Sequence, residues 1–523
     1  MKKIFFIAFI LRGSILMAQQ AAPTIFADII NPTTLREHLT VLTADSLEGR
    51  ETGTVGNMKA AAYIARQFEK LELPTVGTNN TYLQPMVYTN ESWNQVNLDI
   101  NAENYRHLFN FYAFPGTNSP VKDNVLESNE VLFLGYGIDD EAYSDYNKID
   151  VKGKIILINM GEPMSKDSIS GITKSKKLSD WTTDRRKKLA TAFQKGVKAV
   201  FTIDPNLSEN VQVFRRFFSR NIIGDVDSPD GKLANNIFIS PEAAKEIIGK
   251  MTAKYVKARG KCQNGKPRTI VLPCKIKLTL NKFFNQLVGS NVMGYIEGSD
   301  PILKNELVVI TAHYDHLGKR GTDIYHGADD DGSGTSAVLN IAKAFATAKK
   351  QGQSPRRSVL CMLVTGEEKG LLGSKFYVNN PVFPLEKTVA DVNIDMIGRV
   401  DEKYTTANNP NYIYVIGSDK LSTDLHNINE KMNDTYTKLT LDYTYNDEND
   451  PNRYYYRSDH YNFAEKGIPV VFYFNGTHED YHRPTDTIDK INFEKMTIIA
   501  KLAFFTAWEI ANRNDRLRID KKP

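Results

Sequence analysis

The stretch LVVITAHYD at residues 307–315 decides the fold, because it is an apolar run that ends in a histidine and an aspartate. The pattern recurs at 359–368, where VLCMLVTG runs into two glutamates, and at 389–395, where VADVNI runs into an aspartate. Short apolar runs between polar residues are typical of strands buried on both faces. Predicted helices at 335–348 and 495–511 alternate with such strands. The sequence therefore predicts an α/β fold, a three-layer sandwich with a mostly parallel central sheet.

The chain is longer than one hydrophobic core usually supports, since it has 523 residues. Short apolar stretches separated by turn-rich segments fill its middle region, which predicts a strand-rich insertion. We expect a discontinuous catalytic domain over 24–105 and 285–515, with the insertion over 106–284. Residues 1–20 have a basic start and an apolar run, interrupted at Arg12 and Gly13. They predict a cleaved signal peptide and an exported protein, periplasmic or secreted, although a retained anchor or a misjudged start codon stays open.

Composition gives no reason to expect nucleic acid or an acidic membrane surface as a partner, because the net charge is only +4. No apolar segment approaches the roughly 20 residues of a membrane-spanning helix. Cysteine-ligated zinc is not expected, since the chain has 3 cysteines. Cys262 and Cys274 could form a disulfide or remain two thiols, whereas Cys361 lies in an apolar run and should be buried.

Histidines concentrate in the region of the predicted sheet, where seven of the nine lie after residue 312. Open parallel sheets bind ligands at the carboxyl ends of their strands, so the polar strand ends should converge. Asp315 can accept a hydrogen bond from His313 and fix its tautomer, because alternate residues of a strand share a face. The adjacent Glu367 and Glu368 diverge, so one can hold a metal while the other reaches a water molecule. Two histidines with several carboxylates suit zinc, and the number of carboxylates suggests two ions bridged by one of them.

Each of these signals is weak alone, since paired glutamates are usually a solvated turn and an aspartate triplet usually precedes a helix. Together they indicate a cation, because clustered carboxylates would otherwise repel one another. Five motifs then carry a resemblance: HYDHLG, GADDDGSG, GEEKGLLGS, NIDMIG and YHRPTDT. In order and spacing they resemble the zinc exopeptidase family of bacterial secreted leucyl aminopeptidases, to which glutamate carboxypeptidase and the transferrin receptor are related.

The resemblance implies a role for each matching residue and a cofactor of two Zn²⁺ per chain. His313 and Asp395 would hold one zinc, and Glu368 and His482 the other. Asp330 would bridge both ions. Glu367 would be the general base, and Asp315 would orient His313.

Four other histidines are expected to lie outside the metal centre. His316 and His326 flank the first ligand loop without binding metal, and His478 should face solvent. His460 should have a structural role. The middle region resembles the protease-associated domain that is often inserted into such peptidases, where it covers or extends the substrate cleft.

The expected function is that of a metallo-aminopeptidase, which removes N-terminal residues from peptide substrates by a zinc-activated water molecule with a glutamate base. A carboxypeptidase or dipeptidase of the same fold is the main alternative; it would need a cationic clamp for the terminal carboxylate, for which Arg399, Arg453 and Arg457 are candidates. A non-catalytic binding relative and a glutaminyl cyclase are less well supported, since the full ligand set is present. The tyrosine-rich acidic segment 442–460 could form a pocket rim for the substrate ammonium or a polar surface loop. Side-chain preference and oligomeric state stay open.

Overall fold

The computed structural model describes residues 23–119, 122–214, 222–225 and 233–521. The predicted signal peptide, residues 1–20, lies outside the described residues. The chain forms two compact units. Unit 1 comprises the residues up to Met86 together with those from Val288 onward, and unit 2 comprises Val87–Leu287. The insertion predicted from the sequence, 106–284, lies within unit 2.

The strands of the described residues are numbered in chain order. They are β1 Leu83–Ile100, β2 Glu103–Tyr105, β3 Phe111–Tyr112, β4 Val125–Leu134, β5 Asp139–Asp140, β6 Tyr143–Ser144, β7 Ile155–Asn159, β8 Ala199–Ile203, β9 Ile222–Asp225, β10 Asn235–Ile239, β11 Thr269–Ile296, β12 Leu307–His313, β13 Gly318–Arg320, β14 Asp323–Tyr325, β15 Ser358–Val364, β16 Thr388–Ile394, β17 Tyr412–Ile416, β18 Thr440–Asp442 and β19 Val470–Phe474.

The α-helices are numbered in the same way. They are α1 Thr24–Ala27, α2 Pro32–Leu42, α3 Val55–Lys70, α4 Asp180–Thr183, α5 Arg185–Gln194, α6 Leu207–Val213, α7 Pro241–Ile248, α8 Thr252–Gln263, α9 Gly334–Lys350, α10 Leu372–Asn379, α11 Glu402–Thr406, α12 Thr423–Met432, α13 His460–Glu465 and α14 Phe493–Asn512.

Unit 1 has a central sheet in the order β18-β17-β19-β16-β12-β15-β11. The four middle strands, β19, β16, β12 and β15, are mutually parallel. Strand β17 runs antiparallel to β19, and β11 runs antiparallel to β15. The predicted mostly parallel sheet is confirmed. Because parallel neighbours end at the same edge, the residues that follow β12, β15, β16 and β19 are brought together.

Two hydrophobic layers sandwich this sheet, because every residue of β12 and β15 is buried and successive side chains point to opposite faces. Val308 and Ile310 face a core formed mainly with α2, α3, α9 and α14. Leu307 and Val309 face a smaller core formed with α10 and α13. Helix α2 begins at Pro32, where the Asn31 side chain accepts hydrogen bonds from the first turn, so its start is encoded locally.

Unit 2 is strand-rich, as the sequence predicts. Its sheet has the order β11-β4-β7-β8-β10-β3, and β4, β7, β8 and β10 are parallel neighbours. Strand β1 pairs with β2 and β9. Residues of β7, β8 and β10 pack with Ala243 and Ile247 of α7 and with Tyr255 and Ala258 of α8 in one core. Its identity as a protease-associated domain stays a prediction.

Cys262, Cys274 and Cys361 are free and buried, so the disulfide that the sequence left open is absent from this structure. Among the residues that the structure describes, none of the helices combines the length and apolarity that a membrane span requires.

Candidate metal centre

The carboxyl edge of the unit 1 sheet gathers the ionisable groups singled out in the sequence. His313 is the last residue of β12, Glu367 and Glu368 follow β15, and Asp395 follows β16. His482 lies in the segment after β19. The remaining group, Asp330, lies in an irregular helical turn that precedes α9, Ala328–Ser333.

A first group of ligand atoms surrounds the imidazole of His313. Its Nε2 lies 3.3 Å from Oδ1 of Asp330, 3.6 Å from Oδ1 of Asp395 and 3.9 Å from Oε2 of Glu367. Ligand atoms of His313, Glu367 and Asp395 all lie within 4.8 Å of one another, as the ligands of one cation would.

A second group surrounds the other carboxylate oxygen of Asp330. Nε2 of His482 lies 3.1 Å from Oδ2 of Asp330 and 3.4 Å from Oε2 of Glu368. The two oxygens of Asp330 therefore face different histidines, Oδ1 towards His313 and Oδ2 towards His482. A carboxylate in this position can bridge two cations.

The centre contains buried polar atoms that protein groups leave without hydrogen-bond partners, among them Nε2 of His313 and Oε1 of Glu368. Such atoms are costly unless something else pairs with them. Burial, with the nearby carboxylates of Glu368 and Asp395, raises the pKa of Glu367 well above its usual range despite the opposing effect of His313. Crowded acids and unpaired imidazole nitrogens fit divalent cations with nitrogen and oxygen ligands, of which zinc is one.

Each member of the aspartate triplet has a different environment. Oδ1 of Asp329 accepts a hydrogen bond from the backbone N–H of Gly398. The carboxylate of Asp331 accepts from the backbone N–H groups of His313, Gly334 and Met396. Asp330 alone of the three faces both groups of ligand atoms. This geometry favours Asp330 as the bridging residue.

The Asp330 backbone is itself held in place. The carboxylate of Asp486 accepts hydrogen bonds from the backbone N–H groups of Asp329 and Asp330. Asp486 belongs to the YHRPTDT motif, so the segment that carries His482 also positions the loop that carries Asp330.

Asp315 lies beside His313, but its carboxylate is not the nearest acceptor for the imidazole. Nδ1 of His313 lies 3.1 Å from the backbone carbonyl oxygen of Asp315 and 3.7 Å from the carboxylate Oδ1. The carboxylate instead accepts hydrogen bonds from the Thr52 hydroxyl, at 2.8 Å, and from the Glu367 backbone N–H, at 3.2 Å. Asp315 therefore contacts His313 through its backbone carbonyl and Glu367 through its carboxylate.

Arg50, from the Gly-rich turn between α2 and α3, is a residue that the sequence analysis missed. Its guanidinium is fully buried and donates to the carbonyl oxygens of Leu42, Tyr314, His326 and Gly327. The Tyr314 carbonyl follows His313 directly, and the carbonyls of His326 and Gly327 shortly precede Asp330. Arg50 thus ties both ligand loops to the N-terminal helices. An arginine in a Gly-rich turn is the only sequence signal, and it does not reveal burial.

The other histidines differ in their surroundings. His316 is buried, with Nδ1 3.0 Å from Oε1 of Glu368. His478 does not face solvent as expected, because its side chain is 3% exposed and its Nε2 lies 3.2 Å from Oδ2 of Asp329. His460 is buried and stacks on Phe472, which agrees with a structural role.

A small pocket adjoins the ligand groups. Its walls include His313, Asp330, Glu367, Asp395 and His482, and beyond them Met396, Tyr454, Arg457, Phe472, Phe474 and Tyr481. The part distant from the ligands is thus largely aromatic. Tyr454 and Arg457 come from the tyrosine-rich segment, which therefore does contribute to the pocket.

The three arginines considered for a carboxylate clamp have different positions. Arg399 is paired with Asp480 at 2.8 Å. Arg453 lines a separate cavity together with Lys420 and Tyr456. Arg457 lines the pocket beside the ligand groups, where it donates to the Tyr481 hydroxyl at 3.3 Å.

Comparisons with known proteins find similarity to aminopeptidases. Over 221 residues the chain is 30% identical to a probable leucine aminopeptidase of Arthroderma otae, covering 41% of this chain and 57% of that protein. It is 27% identical over 256 residues to the aminopeptidase YwaD of Bacillus subtilis, covering 47% of this chain and 50% of that protein. The matches thus span about half the length of these curated relatives.

The solved structure of an aminopeptidase from Aneurinibacillus sp. strain AM-1 has the same fold, with a TM-score of 0.54, 20% identity and coverage of 96% of this chain and 99% of that one. The profile of Peptidase family M28 matches residues 291–507, which span all the predicted metal ligands. The resemblance seen in the five motifs is therefore confirmed.

Proposed function

We propose that this protein is a dizinc metallo-aminopeptidase that hydrolyses the N-terminal peptide bond of its substrates. The observation that carries the proposal is the position of Asp330, whose two oxygens face two separate groups of ligand atoms. One zinc would be held by His313, Asp395 and Asp330. The other would be held by Glu368, His482 and Asp330.

Bound zinc supplies Lewis acidity, which makes water a better nucleophile source and the scissile carbonyl a better electrophile. Glu367 would accept a proton from the attacking water at a carboxylate oxygen and deliver it to the leaving amine. It is suited to this role because its carboxylate lines the pocket, and its backbone is held through the hydrogen bond to Asp315.

The aromatic part of the pocket would receive the side chain of the N-terminal residue. Met396, Tyr454 and Phe474 offer apolar surface beside the ligand groups, so the pocket suits an apolar side chain. The exopeptidase direction is supported by the relatives, which carry the names leucine aminopeptidase and aminopeptidase.

A carboxypeptidase or dipeptidase is the second candidate, and Arg457 is the observation that favours it. Its guanidinium lines the pocket and could bind a terminal carboxylate. A panel of peptides with free or acetylated N-termini, and with free or amidated C-termini, separates the two. Acetylation should abolish hydrolysis if the proposal is correct, whereas an effect of amidation alone would favour the second candidate.

Glu367→Gln tests the chemical role of the base. We expect the variant to keep its zinc, measured by elemental analysis, and to lose roughly 10²–10⁴ in turnover, which is the usual contribution of a general base. Glu479→Gln is the matched control, because Glu479 is exposed in the segment that carries His482. A Glu367→Gln enzyme with full zinc content and a normal rate would remove Glu367 from the mechanism.

Two further predictions accompany this function. We expect unit 2 to be a protease-associated domain and the protein to be exported. Cell fractionation, with N-terminal sequencing of the mature protein, tests the second of these directly.

A further inference from the structure

The imidazole of His316 has no explained partner in the fold. It lies three residues beyond His313, and the residue is fully buried. Neither of its ring nitrogens forms a well-directed hydrogen bond within the described protein, although Nδ1 lies 3.0 Å from Oε1 of Glu368. A buried polar group without a partner destabilises the fold, so a partner outside the protein chain is expected for this ring.

The distances around Nδ1 of His316 lie on either side of those expected between ligands of one zinc ion. In a tetrahedral site with bonds of about 2.0–2.2 Å, ligand atoms lie about 3.3–3.5 Å apart. Nδ1 lies 3.0 Å from Oε1 of Glu368 and 3.8 Å from Oδ2 of Asp330. The corresponding distances from His482 are 3.4 Å and 3.1 Å, to the same two carboxylates. A ring nitrogen of His316 thus lies near the same two carboxylates as a ring nitrogen of His482.

The ring is also held in this position by its packing. A Cβ atom added to Gly327 would lie 2.5 Å from Cγ of His316, so the ring packs directly against the backbone of the loop that leads to Asp330. The rings of His316 and His482 approach edge to face, with centroids 5.9 Å apart. Both imidazoles therefore border the same carboxylates from different sides.

We propose that His316 is a fourth protein ligand at the second metal position, together with Asp330, Glu368 and His482. The inference rests on the proposed function, because it assumes that zinc occupies this centre. The second position would then have two histidines, since His316 groups with Asp330 and Glu368 and His482 contacts the same two carboxylates, whereas the first position has His313. The second zinc is accordingly bound more tightly than Asp330, Glu368 and His482 alone would bind it.

His478 provides a matched comparison. It is also buried, its ring nitrogens also have no hydrogen-bond partner, and Nε2 lies 3.2 Å from Oδ2 of Asp329. Asp329, however, has its other oxygen bonded to the Gly398 N–H and is not among the grouped ligands. Loss of His478 removes a buried imidazole without removing a metal ligand.

X-ray absorption at the zinc edge of the fully loaded wild-type protein tests the inference without a variant. We expect the imidazoles of His313, His316 and His482 to be shared between two zinc ions. His316→Phe should lose one imidazole, whereas His478→Phe should keep the wild-type number. A wild-type signal from only the His313 and His482 imidazoles would overturn the inference.

Chelator competition gives a second measurement. Loss of a group that only orients a ligand weakens metal binding by about 10–100-fold. Loss of a direct ligand in His316→Phe should therefore weaken binding of the zinc at the second position by more than that range. His478→Phe should stay within about threefold. The inference would be overturned if His316→Phe lost less zinc affinity than this and kept the wild-type number of zinc-bound imidazoles. His316 would then only donate a hydrogen bond to Glu368. If the wild-type protein binds two zinc ions and hydrolyses peptides but His316 is not a ligand, the proposed function still stands. If the protein binds no zinc, the proposed function and this inference are both refuted.

Discussion

Replacement of Arg50 by Met tests how the metal-binding loops are held. The Arg50 guanidinium is completely buried and donates to four carbonyl oxygens, those of Leu42, Tyr314, His326 and Gly327. Methionine fills part of the same volume and donates to none of them. The carbonyls of Leu42, Tyr314 and His326 would lose this partner, whereas the carbonyl of Gly327 would keep the hydrogen bond from the Gly332 N–H.

The expected loss can be worked out from these bonds. A buried group left without its partner costs about 1–3 kcal/mol, so three carbonyls give about 3–9 kcal/mol. Effects of neighbouring groups do not add fully, and we therefore expect a value near the lower end, about 3 kcal/mol. This is a large part of the roughly 5–15 kcal/mol that stabilises a typical domain. Arg50→Lys should lose about half as much, because a single ammonium cannot reach four carbonyls arranged around a planar fork.

Urea unfolding followed by tryptophan fluorescence measures this loss. Trp508 lies in α14 of unit 1, so a background with Trp93→Phe and Trp181→Phe makes the signal specific for that unit. Arg36→Met is the matched control, since Arg36 is exposed and lies over the ring of Phe493. The reasoning is refuted if Arg50→Met unfolds within about 1 kcal/mol of the wild type, or if Arg50→Lys is as stable as the wild type.

Two other predictions concern Lys495 and the pocket. Burial lowers the pKa of Lys495 to about 7 in the folded protein, although Asp329 and Asp401 oppose the shift. Above that pH the folded state binds fewer protons than the unfolded state, so the free energy of unfolding should rise with pH. From about pH 7.5 to about 9.5 it should rise by about 1.4 kcal/mol per pH unit more in wild type than in Lys495→Met. Parallel pH profiles of the free energy of unfolding for the two proteins would contradict this prediction. Tyr454→Ala should remove apolar wall from the pocket and lower kcat/KM for a leucine amide by roughly 10–100-fold relative to an alanine amide, measured side by side. An unchanged ratio would place the N-terminal side chain elsewhere.

Regular elements with a clear apolar pattern were predicted well. Strand β16 extends the predicted run VADVNI by one residue, Thr388, and α9 extends the predicted helix by one or two residues at each end. Both are encoded locally, by a continuous apolar run and by helical periodicity. Strand β17 was missed, although YIYVI at 412–416 is an apolar run of the same kind, because no ligand follows it. Strand β1 was also not predicted, because its polar residues hide the pattern of a strand.

The candidate site divides in a similar way. The convergence of the strand ends could be predicted, since parallel strands fix which residues share an edge. The surroundings of His316, His478 and Arg50 could not, because they depend on loops that pack together from distant parts of the chain. For the same reason the acceptor for His313 is a backbone carbonyl, which no pattern of side chains reveals.

The histidines around the candidate site differ in their access to water. The side chain of His482 is 36% exposed, whereas those of His313 and His316 are 1% and 0% exposed. Solvent therefore reaches the ring of His482 far more readily than the other two, beside the neighbouring Tyr481, whose ring stacks on it with centroids 3.9 Å apart. A molecule that covers His482 and Tyr481 would shut water away from the most accessible of these three imidazoles.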